Sequence, residues 1–284
     1  MIGEGQSLLS VDIEDWFQVE NLRQAVSRGS WGDRELRVEK NVDRILNILA
    51  RHSTHATFFV LGWIAEHSPD LVKRIHASGH EVASHGYGHE LVYNLPREHF
   101  REDLQRSRRV LEDLTGQEIL GYRAPSFSIT DWAIDELYEN GFRYDSSLFP
   151  TVAHDRYGKL KQHNVQAGTC VEVRPGFYEV LLSCLPILGM NVPWAGGGYF
   201  RIIPYSVFRQ GIERILKTRR HYCFYVHPWE FDPGQPRIGG IKAIYKFRHY
   251  VNLGKTEGRF ERLLEEFSFQ PIRKILPEWK EEHR

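Results

Sequence analysis

The alternation of short apolar segments with segments of helical periodicity constrains the fold more than any other feature of this sequence. Apolar runs of strand length lie at residues 7–13, 56–61 and 81–84. Apolar residues at the spacing of an amphipathic helix follow each of them. Strands that alternate with helices of about 10–15 residues are joined by crossovers and pair in parallel. The sequence therefore predicts an α/β fold built on a parallel sheet or barrel.

Three further strands are predicted from the same pattern, at residues 119–123, 142–146 and 222–226. The helices between the strands carry ordinary boundary signals, with proline in the first turn and glycine after the last. One of these predicted helices begins at Pro96 and ends at Gly116. The order of elements is regular as far as about residue 150.

The second half of the chain is less regular. Residues 151–219 combine short apolar segments with prolines and a triple glycine, a pattern typical of irregular β-structure followed by a helix. Residues 233–284 are basic and helical and carry no apolar core of their own. No repeat or linker separates these parts. We therefore expect one domain over residues 1–284, with its core motifs in residues 7–150 and 220–232.

Composition excludes several classes of function. Lys+Arg and Asp+Glu are both 37, so the chain lacks the basic surplus that a sequence-independent nucleic-acid binder needs. No apolar stretch reaches the length of about 18 residues needed for a membrane span. The three cysteines are widely spaced and odd in number, which favours a reducing compartment. The first residues show no basic region followed by an apolar run, so we expect a cytoplasmic protein.

Polar side chains cluster where the predicted strands end. The residues concerned are Asp12, Glu14, Asp15, His85, His89, Arg123, Asp145 and His227. Functional groups of parallel α/β proteins collect at this edge of the sheet, so we expect these side chains to form a site. Residues two apart on a strand share a face, which directs Asp12 and Glu14 the same way and Asp15 elsewhere.

Histidine spacing alone is weak evidence for a metal site. With 14 histidines, chance supplies about one His-x-x-x-His pair, and the chain has two. One pair straddles Gly79, a predicted helix end, whereas His85 and His89 follow a strand within a glycine-bearing turn. Two imidazoles and one carboxylate form a known catalytic zinc set, and Glu14 or Asp15 could supply the carboxylate.

The other candidates have structural alternatives. Asp12 follows a buried apolar run, where an unpaired charge is costly, and Arg123 is its natural partner. His227 could equally be a core histidine, and Asp145 could cap a turn. Aromatic residues beside these groups, Trp229 among them, are more readily explained as core than as a ligand platform.

Six ordered motifs resemble those of the polysaccharide deacetylase family (carbohydrate esterase family 4, the NodB homology domain). They lie at residues 10–16, 56–62, 85–89, 123–125, 144–147 and 226–228. The first departs from the usual Thr-Phe-Asp-Asp-Gly by an extra residue between the acids, as in the branch of Helicobacter-type peptidoglycan deacetylases and allantoinase-like proteins. The strings at 197–201 and 227–231 resemble a subgroup associated with exopolysaccharide and PEP-CTERM loci.

This resemblance implies a distorted (β/α) barrel with a β-rich insertion and a helical C-terminal segment. It also implies metal-dependent removal of N-acetyl groups from an amino-sugar polysaccharide, exopolysaccharide or peptidoglycan-like, with release of acetate. The implied cofactor is Zn²⁺ or another divalent transition metal. The implied partners are the N-acetylated oligo- or polysaccharide and the exopolysaccharide synthesis machinery, and the neutral charge balance favours an uncharged sugar.

Site roles follow from motif position within the resemblance. Asp12 matches the base, Arg123 the residue that tethers it and His227 the general acid, while Asp145 matches only loosely. His85 and His89 match metal ligands.

The family's carboxylate ligand falls on Ile13, which cannot ligate, so Glu14 is assigned on same-face geometry with Asp15 as the alternative. Tyr87, Pro125 and Trp229 are expected to bind substrate. Two other functions remain open: an allantoinase-like cyclic-amide hydrolase and a non-catalytic carbohydrate-binding or assembly protein.

Overall fold

The computed structural model describes residues 6–151, 157–160, 170–219 and 221–276. The first five residues lie outside these ranges, so the absence of a signal segment there stays a prediction. Parts of the predicted insertion and of the C-terminal segment also lie outside them.

Eleven strands are present in the described residues. They are β1 (Gln6–Ile13), β2 (Thr57–Val60), β3 (Glu81–Ser84), β4 (Gly121–Tyr122), β5 (Tyr144–Asp145), β6 (Cys170–Arg174), β7 (Phe177–Val180), β8 (Cys184–Ile187), β9 (Met190–Pro193), β10 (His221–Val226) and β11 (Phe269–Gln270). Nine of them form one sheet in the order β10-β1-β2-β3-β4-β5-β7-β6, and β11 pairs with the start of β1. Every neighbouring pair in it is parallel except β6–β7. The sheet curls into a half-barrel, which confirms the predicted distorted α/β barrel.

Helices connect most of the parallel strands. They are α1 (Val38–Arg51), α2 (Gly62–His67), α3 (Pro69–Ala77), α4 (Arg97–Thr115), α5 (Asp131–Glu139), α6 (Gly197–Ile202), α7 (Tyr205–Thr218), α8 (Ala243–Tyr250) and α9 (Thr256–Glu266). The predicted signals mark their ends: Gly116 follows α4 with a left-handed φ of 66°, and the Thr130 side chain accepts the Ala133 N–H at the start of α5. Among the described helices, none is both long and apolar enough to cross a membrane.

The main apolar core lies between the sheet and the helices that cover it. Both faces of the short central strands are buried, as continuous apolar strands of a parallel sheet require. Inward residues of the helices complete the cluster, among them Val42, Leu71, Leu104, Leu137 and Ile212. This core holds the parallel strands in place, so the side chains at their carboxyl ends lie together at one edge of the sheet.

The insertion is more ordered than the sequence indicated. β7 pairs in parallel with β5 and extends the main sheet, with Glu179 opposite Asp145. β6 returns antiparallel to β7, while β8 and β9 form a separate hairpin. The helical C-terminal segment is confirmed by α8 and α9. The expected β-rich insertion is therefore present, but part of it belongs to the central sheet.

Candidate active site

Four parallel strands deliver the polar residues to one cavity. β1, β3, β4 and β10 end at the same edge of the sheet, and a cavity of about 310 Å³ opens there. Among its lining side chains are Asp12, Glu14, His85, His89 and His227. This volume is near the lower end of the range of small-molecule sites.

Asp12 and Arg123 form a buried ion pair at the floor of the site. Arg123 Nη1 donates to Asp12 Oδ1 at 2.7 Å, and both side chains are almost inaccessible to solvent. The remaining guanidinium donors reach Ser10 Oγ, Ser146 Oγ and the Ser146 carbonyl at 2.6–2.9 Å. Because every branch of Arg123 is held, the carboxylate of Asp12 has a fixed position.

Glu14 lies between two imidazoles. Its Oε2 is 3.0 Å from His89 Nε2, and its Oε1 is 3.1 Å from His227 Nε2. Burial alone would raise the pKa of Glu14, but the charges of His89, His227 and His85 outweigh it and lower the pKa to about 2.

His85 and His89 face each other with ring centroids 5.4 Å apart. His85 Nδ1 donates to the Arg123 carbonyl at 2.8 Å, which leaves Nε2 as the acceptor nitrogen, and burial lowers its pKa to about 4. A second hydrogen bond of this kind is what orients a metal-ligating histidine. His89 has a left-handed φ of 52°, a strained conformation for a non-glycine residue.

The donor set of the cavity fits a divalent transition metal. Glu14 Oε2 is buried and makes no hydrogen bond, although His89 Nε2 lies close to it. One carboxylate and two neutral imidazoles are the ligand types of such ions. Within the described residues, however, no group of three or more His, Cys, Asp or Glu side chains is gathered closely enough to hold a metal.

Asp15 takes no part in this cluster. Its Oδ2 accepts the backbone N–H groups of Arg37 and Val38 at 2.6 and 2.9 Å, and its Oδ1 accepts that of Trp16. Val38 is the first residue of α1, so Asp15 stabilises a helix N-terminus. Burial raises the pKa of Asp15 to about 6, against these hydrogen bonds. The structure therefore separates Asp15 from the two imidazoles and leaves Glu14 beside them.

His227 lies beside Glu14 and contacts Glu230 through its other ring nitrogen. Its backbone N–H donates to Glu230 Oε2 at 3.1 Å, and its Nδ1 is 3.4 Å from the same oxygen. Burial would lower the pKa of His227, but Glu14, Glu230 and Asp12 raise it to about 9. Glu230 is itself paired with the buried Arg201 at 3.1 Å.

Asp145 does not reach the cavity. Its carboxyl is buried between β5 and β7, where it accepts the Ser147 hydroxyl at 2.6 Å and faces Glu179. Burial raises the pKa of Asp145 to about 6 and that of Glu179 further above its usual range. The position of Asp145 gives no support to its loose match to a catalytic role, and the carboxylate beside His227 Nδ1 is that of Glu230.

Of the three expected substrate contacts, only Trp229 lines the cavity. Its indole stacks between the rings of His227 and His249, at centroid distances of 5.3 and 4.4 Å. The Tyr87 hydroxyl instead donates to Glu66. Pro125 is buried and begins a 3₁₀ turn. Substrate binding by Tyr87 and Pro125 therefore stays a prediction, since neither residue is among those that line this cavity.

Glu230 and Arg201 are the site residues that reasoning from the residues alone missed. Arg201 is almost fully buried, and besides Glu230 it donates to the backbone carbonyls of Arg248, His249 and Val251. Both residues fall within the two strings that carry the subgroup resemblance. Nothing in their spacing shows that the strings meet, because the contact joins α6 to the turn after β10.

The curled parallel sheet and this cluster of carboxylates, histidines and a buried arginine define a NodB-type α/β protein. Comparison with family models agrees: residues 31–144 match the polysaccharide deacetylase family, and residues 146–277 match a domain of unknown function, DUF3473. Each match covers less than half of the chain, so residues 31–144 are similar to the polysaccharide deacetylase family (carbohydrate esterase family 4), and residues 146–277 are similar to DUF3473.

Curated relatives include two peptidoglycan deacetylases. The peptidoglycan deacetylase of Helicobacter pylori is 33% identical over 110 residues, 39% of this chain and 38% of that protein. A peptidoglycan-N-acetylglucosamine deacetylase of Bacillus cereus is 27% identical over 187 residues, 60% of this chain and 64% of that protein. This chain therefore spans less than two thirds of the length of either relative.

Solved structures support the fold. A crystal structure from Mycobacterium smegmatis, described as a polysaccharide deacetylase, has a TM-score of 0.64 at 18% identity and covers 99% of this chain and 92% of its own. A carbohydrate esterase family 4 pseudoenzyme from Bacillus anthracis has a TM-score of 0.53 at 16% identity, covering 98% and 67%. At these identities the similarity establishes the architecture alone.

Proposed function

We propose that the protein is a metal-dependent hydrolase that removes N-acetyl groups from an amino-sugar polysaccharide and releases acetate. The observation that carries this proposal is one cavity that brings together an arginine-held carboxylate, a histidine–carboxylate pair and the side chains of Glu14, His85 and His89. An amide hydrolase needs a base for water on one side and an acid for the amine on the other.

Asp12 is the proposed base. Oδ1 is occupied by Arg123, and Oδ2 points towards the cavity, 3.9 Å from His227 Nε2. A carboxylate with one oxygen fixed and the other directed at substrate can take a proton from an attacking water without moving.

Glu14, His85 and His89 are the proposed ligands of Zn²⁺ or a similar divalent ion. When bound, such an ion supplies the Lewis acidity that activates an amide carbonyl and a water molecule. The chain's own contribution is to hold His85 in one tautomer through the Arg123 carbonyl and to place Glu14 Oε2 3.0 Å from His89 Nε2.

His227 is the proposed acid. Glu14, Glu230 and Asp12 raise its pKa, which favours the protonated ring that can give a proton to the leaving amine. Glu230 orients the ring, and Arg201 holds Glu230 in place.

An acetate-release assay over N-acetylated oligosaccharides, with and without added Zn²⁺, tests this function. We expect metal-dependent release from chitooligosaccharides, and about a 10²–10⁴-fold loss of turnover in Asp12→Asn with its metal content retained. Full turnover in that variant would contradict the role of Asp12. Release of no acetate from any polymer would contradict the function itself.

A non-catalytic carbohydrate-binding role is the second candidate. Two observations favour it: a pseudoenzyme shares this fold, and the described residues include no closed metal-binding group. Metal analysis separates the two proposals, because a deacetylase of this kind must bind about one divalent ion per chain. The nature of the polymer as an exopolysaccharide, the subgroup and a cytoplasmic location are further proposals that rest on sequence resemblance and composition.

A further inference from the structure

One stretch of the chain has an unusual charge pattern. Residues 233–256 contain five Lys or Arg and no Asp or Glu, although the chain as a whole is balanced at 37 of each sign. This stretch includes α8. A run of one sign within a neutral protein creates a local positive potential that reaches about 10 Å at ordinary ionic strength.

α8 is held against the candidate active site. Arg201 donates to the carbonyls of Arg248 and His249, both at 3.0 Å, and the same guanidinium pairs with Glu230 beside His227. Arg248 is also one of the residues that line the cavity containing Asp12. The buried Arg201 therefore fixes the backbone of Arg248 relative to the site.

Arg248 is an exposed residue of α8. Within the part of the chain that the structure describes, no carboxylate lies within 4 Å of it, whereas Arg97 and Arg101 both pair with Glu136. Glu20 lines the same cavity, but it pairs with Arg23 at 3.4 Å. Arg248 is thus a cation at the cavity mouth that is available to an anion.

Apolar side chains lie beside this cation on the outer face of α8. Ile244 and Phe247 are 50% and 54% exposed, and their positions on the helix flank that of Arg248. The carbon-bound hydrogens of a pyranose ring form an apolar face that packs on such side chains. One helix face therefore offers both an apolar surface and a positive charge next to the cavity.

The cavity cannot contain a polymer. At about 310 Å³ it is at the lower limit for a ligand site, so sugars next to the reacting one must lie on its rim. We propose that the outer face of α8 binds those sugars and that Arg248 recognises a carboxylate on one of them. This inference rests on the proposed function and defines its substrate as an acidic N-acetylated polysaccharide, in contrast to the uncharged sugar that the overall charge balance favoured.

Binding of two hexasaccharides by the full-length Asp12→Asn protein tests the proposal without turnover. Chitohexaose is neutral, and a hyaluronan hexasaccharide carries a carboxylate on every second sugar. By calorimetry we expect the acidic probe to bind about tenfold more tightly at low salt, and this advantage to shrink in about 0.5 M salt. Equal or weaker binding of the acidic probe, or no binding of either, would overturn the proposal.

Charge reversal at Arg248 identifies the face. In the same background, Arg248→Glu should reduce affinity for the acidic probe at least about fivefold more than for the neutral one. Phe247→Ala should reduce the affinity for both hexasaccharides equally, because the contact that Phe247 makes is apolar. The matched control is Lys217→Glu on α7, an exposed cation outside the cavity lining, which should change neither. An equal loss of affinity for both hexasaccharides in Arg248→Glu would contradict the proposed role of Arg248.

The two proposals fail in different ways. If wild-type protein with Zn²⁺ releases acetate from chitohexaose while the acidic probe shows no advantage, the proposed function stands and the acidic substrate class is wrong. If no acetate is released but the acidic preference depends on Arg248, the binding face stands and the deacetylase function is wrong.

Discussion

Three neighbouring acids of one segment occupy two different environments. Asp12 and Glu14 follow the two-residue period of β1 into the cavity, while the intervening Ile13 packs in the main core. Asp15 leaves the strand and accepts two backbone N–H groups at the start of α1, together with that of Trp16. The two-residue period of the strand therefore distinguishes Glu14, a candidate metal ligand, from Asp15, a structural carboxylate.

Isosteric amides distinguish these two acids. Glu14→Gln should lose bound metal, because it replaces a charged donor beside His89 with a neutral amide. Asp15→Asn should keep the metal and instead lower the free energy of unfolding by about 1–2 kcal/mol, because its amide nitrogen cannot accept the backbone N–H that one carboxylate oxygen accepts now. Metal analysis and urea unfolding of both purified variants decide the matter. Metal loss in Asp15→Asn with retention in Glu14→Gln would reverse the assignment.

At the scale of elements, the position of α6 depends on Gly197, which lies against the carboxylate of Glu230. A Cβ on Gly197 would collide with the carboxylate of Glu230, whereas a Cβ on the adjacent Gly198 would meet open space. The helix can therefore approach the turn after β10 only because residue 197 has no side chain. This contact lets Arg201 on α6 reach Glu230.

Gly197→Ala and Gly198→Ala form a matched pair. We expect Gly197→Ala to displace Glu230 and reduce acetate release by at least about tenfold, because His227 loses its orienting carboxylate. Gly198→Ala should stay within about twofold of the wild type. Far-ultraviolet circular dichroism checks that both variants fold. Equal activities in two folded variants would show that the Glu230 contact does not matter for turnover.

His80 links β2 and β3 in a way that depends on pH. Its Nδ1 accepts the Ala56 N–H at 3.3 Å, and burial lowers its pKa to about 4. An unfolded histidine takes up a proton near pH 6.5, whereas folded His80 does so only near pH 4. Above pH 6.5 His80 is neutral in both states, so its lowered pKa does not change the free energy of unfolding. As pH falls from 6.5 towards 4, only the unfolded state takes up the proton, and the free energy of unfolding decreases.

Replacing His80 should flatten this acid dependence. Urea unfolding of His80→Asn at pH 7.5 and pH 5 should show a smaller loss of stability between the two pH values than the wild type. His99→Asn is the control, since His99 is exposed on α4 and should leave the difference unchanged. An unchanged difference in His80→Asn would mean that other groups account for the acid sensitivity.

Local patterns predict the elements well and their long-range contacts poorly. The six strands, the ends of α4 and α5 and the pairing of Asp12 with Arg123 follow from apolar period, capping and the cost of a buried charge. The pairing of β7 with β5 does not, because a short strand is compatible with several neighbours. Glu230 and Arg201 were missed for a similar reason: their partnership depends on packing between distant segments.

At the scale of the whole molecule, the two family regions share one sheet. β10, from the DUF3473 region, pairs with β1 over six residues, and β7 from the same region pairs with β5. His227 follows β10 in the DUF3473 region, whereas the proposed base Asp12 lies in β1, ahead of both matched regions. A single domain over both regions is therefore the prediction that this pairing favours.

A destabilising change in β10 should loosen both regions together. Phe224 is fully buried and packs against Phe200 and Phe208, so Phe224→Ala should cost about 3–5 kcal/mol. If the regions unfold as one unit, hydrogen exchange should then accelerate equally in β2 and β3 and in α7. Phe247→Ala removes the same side chain from an exposed position and should leave exchange unchanged. Acceleration confined to residues 146–277 would show two separately unfolding domains.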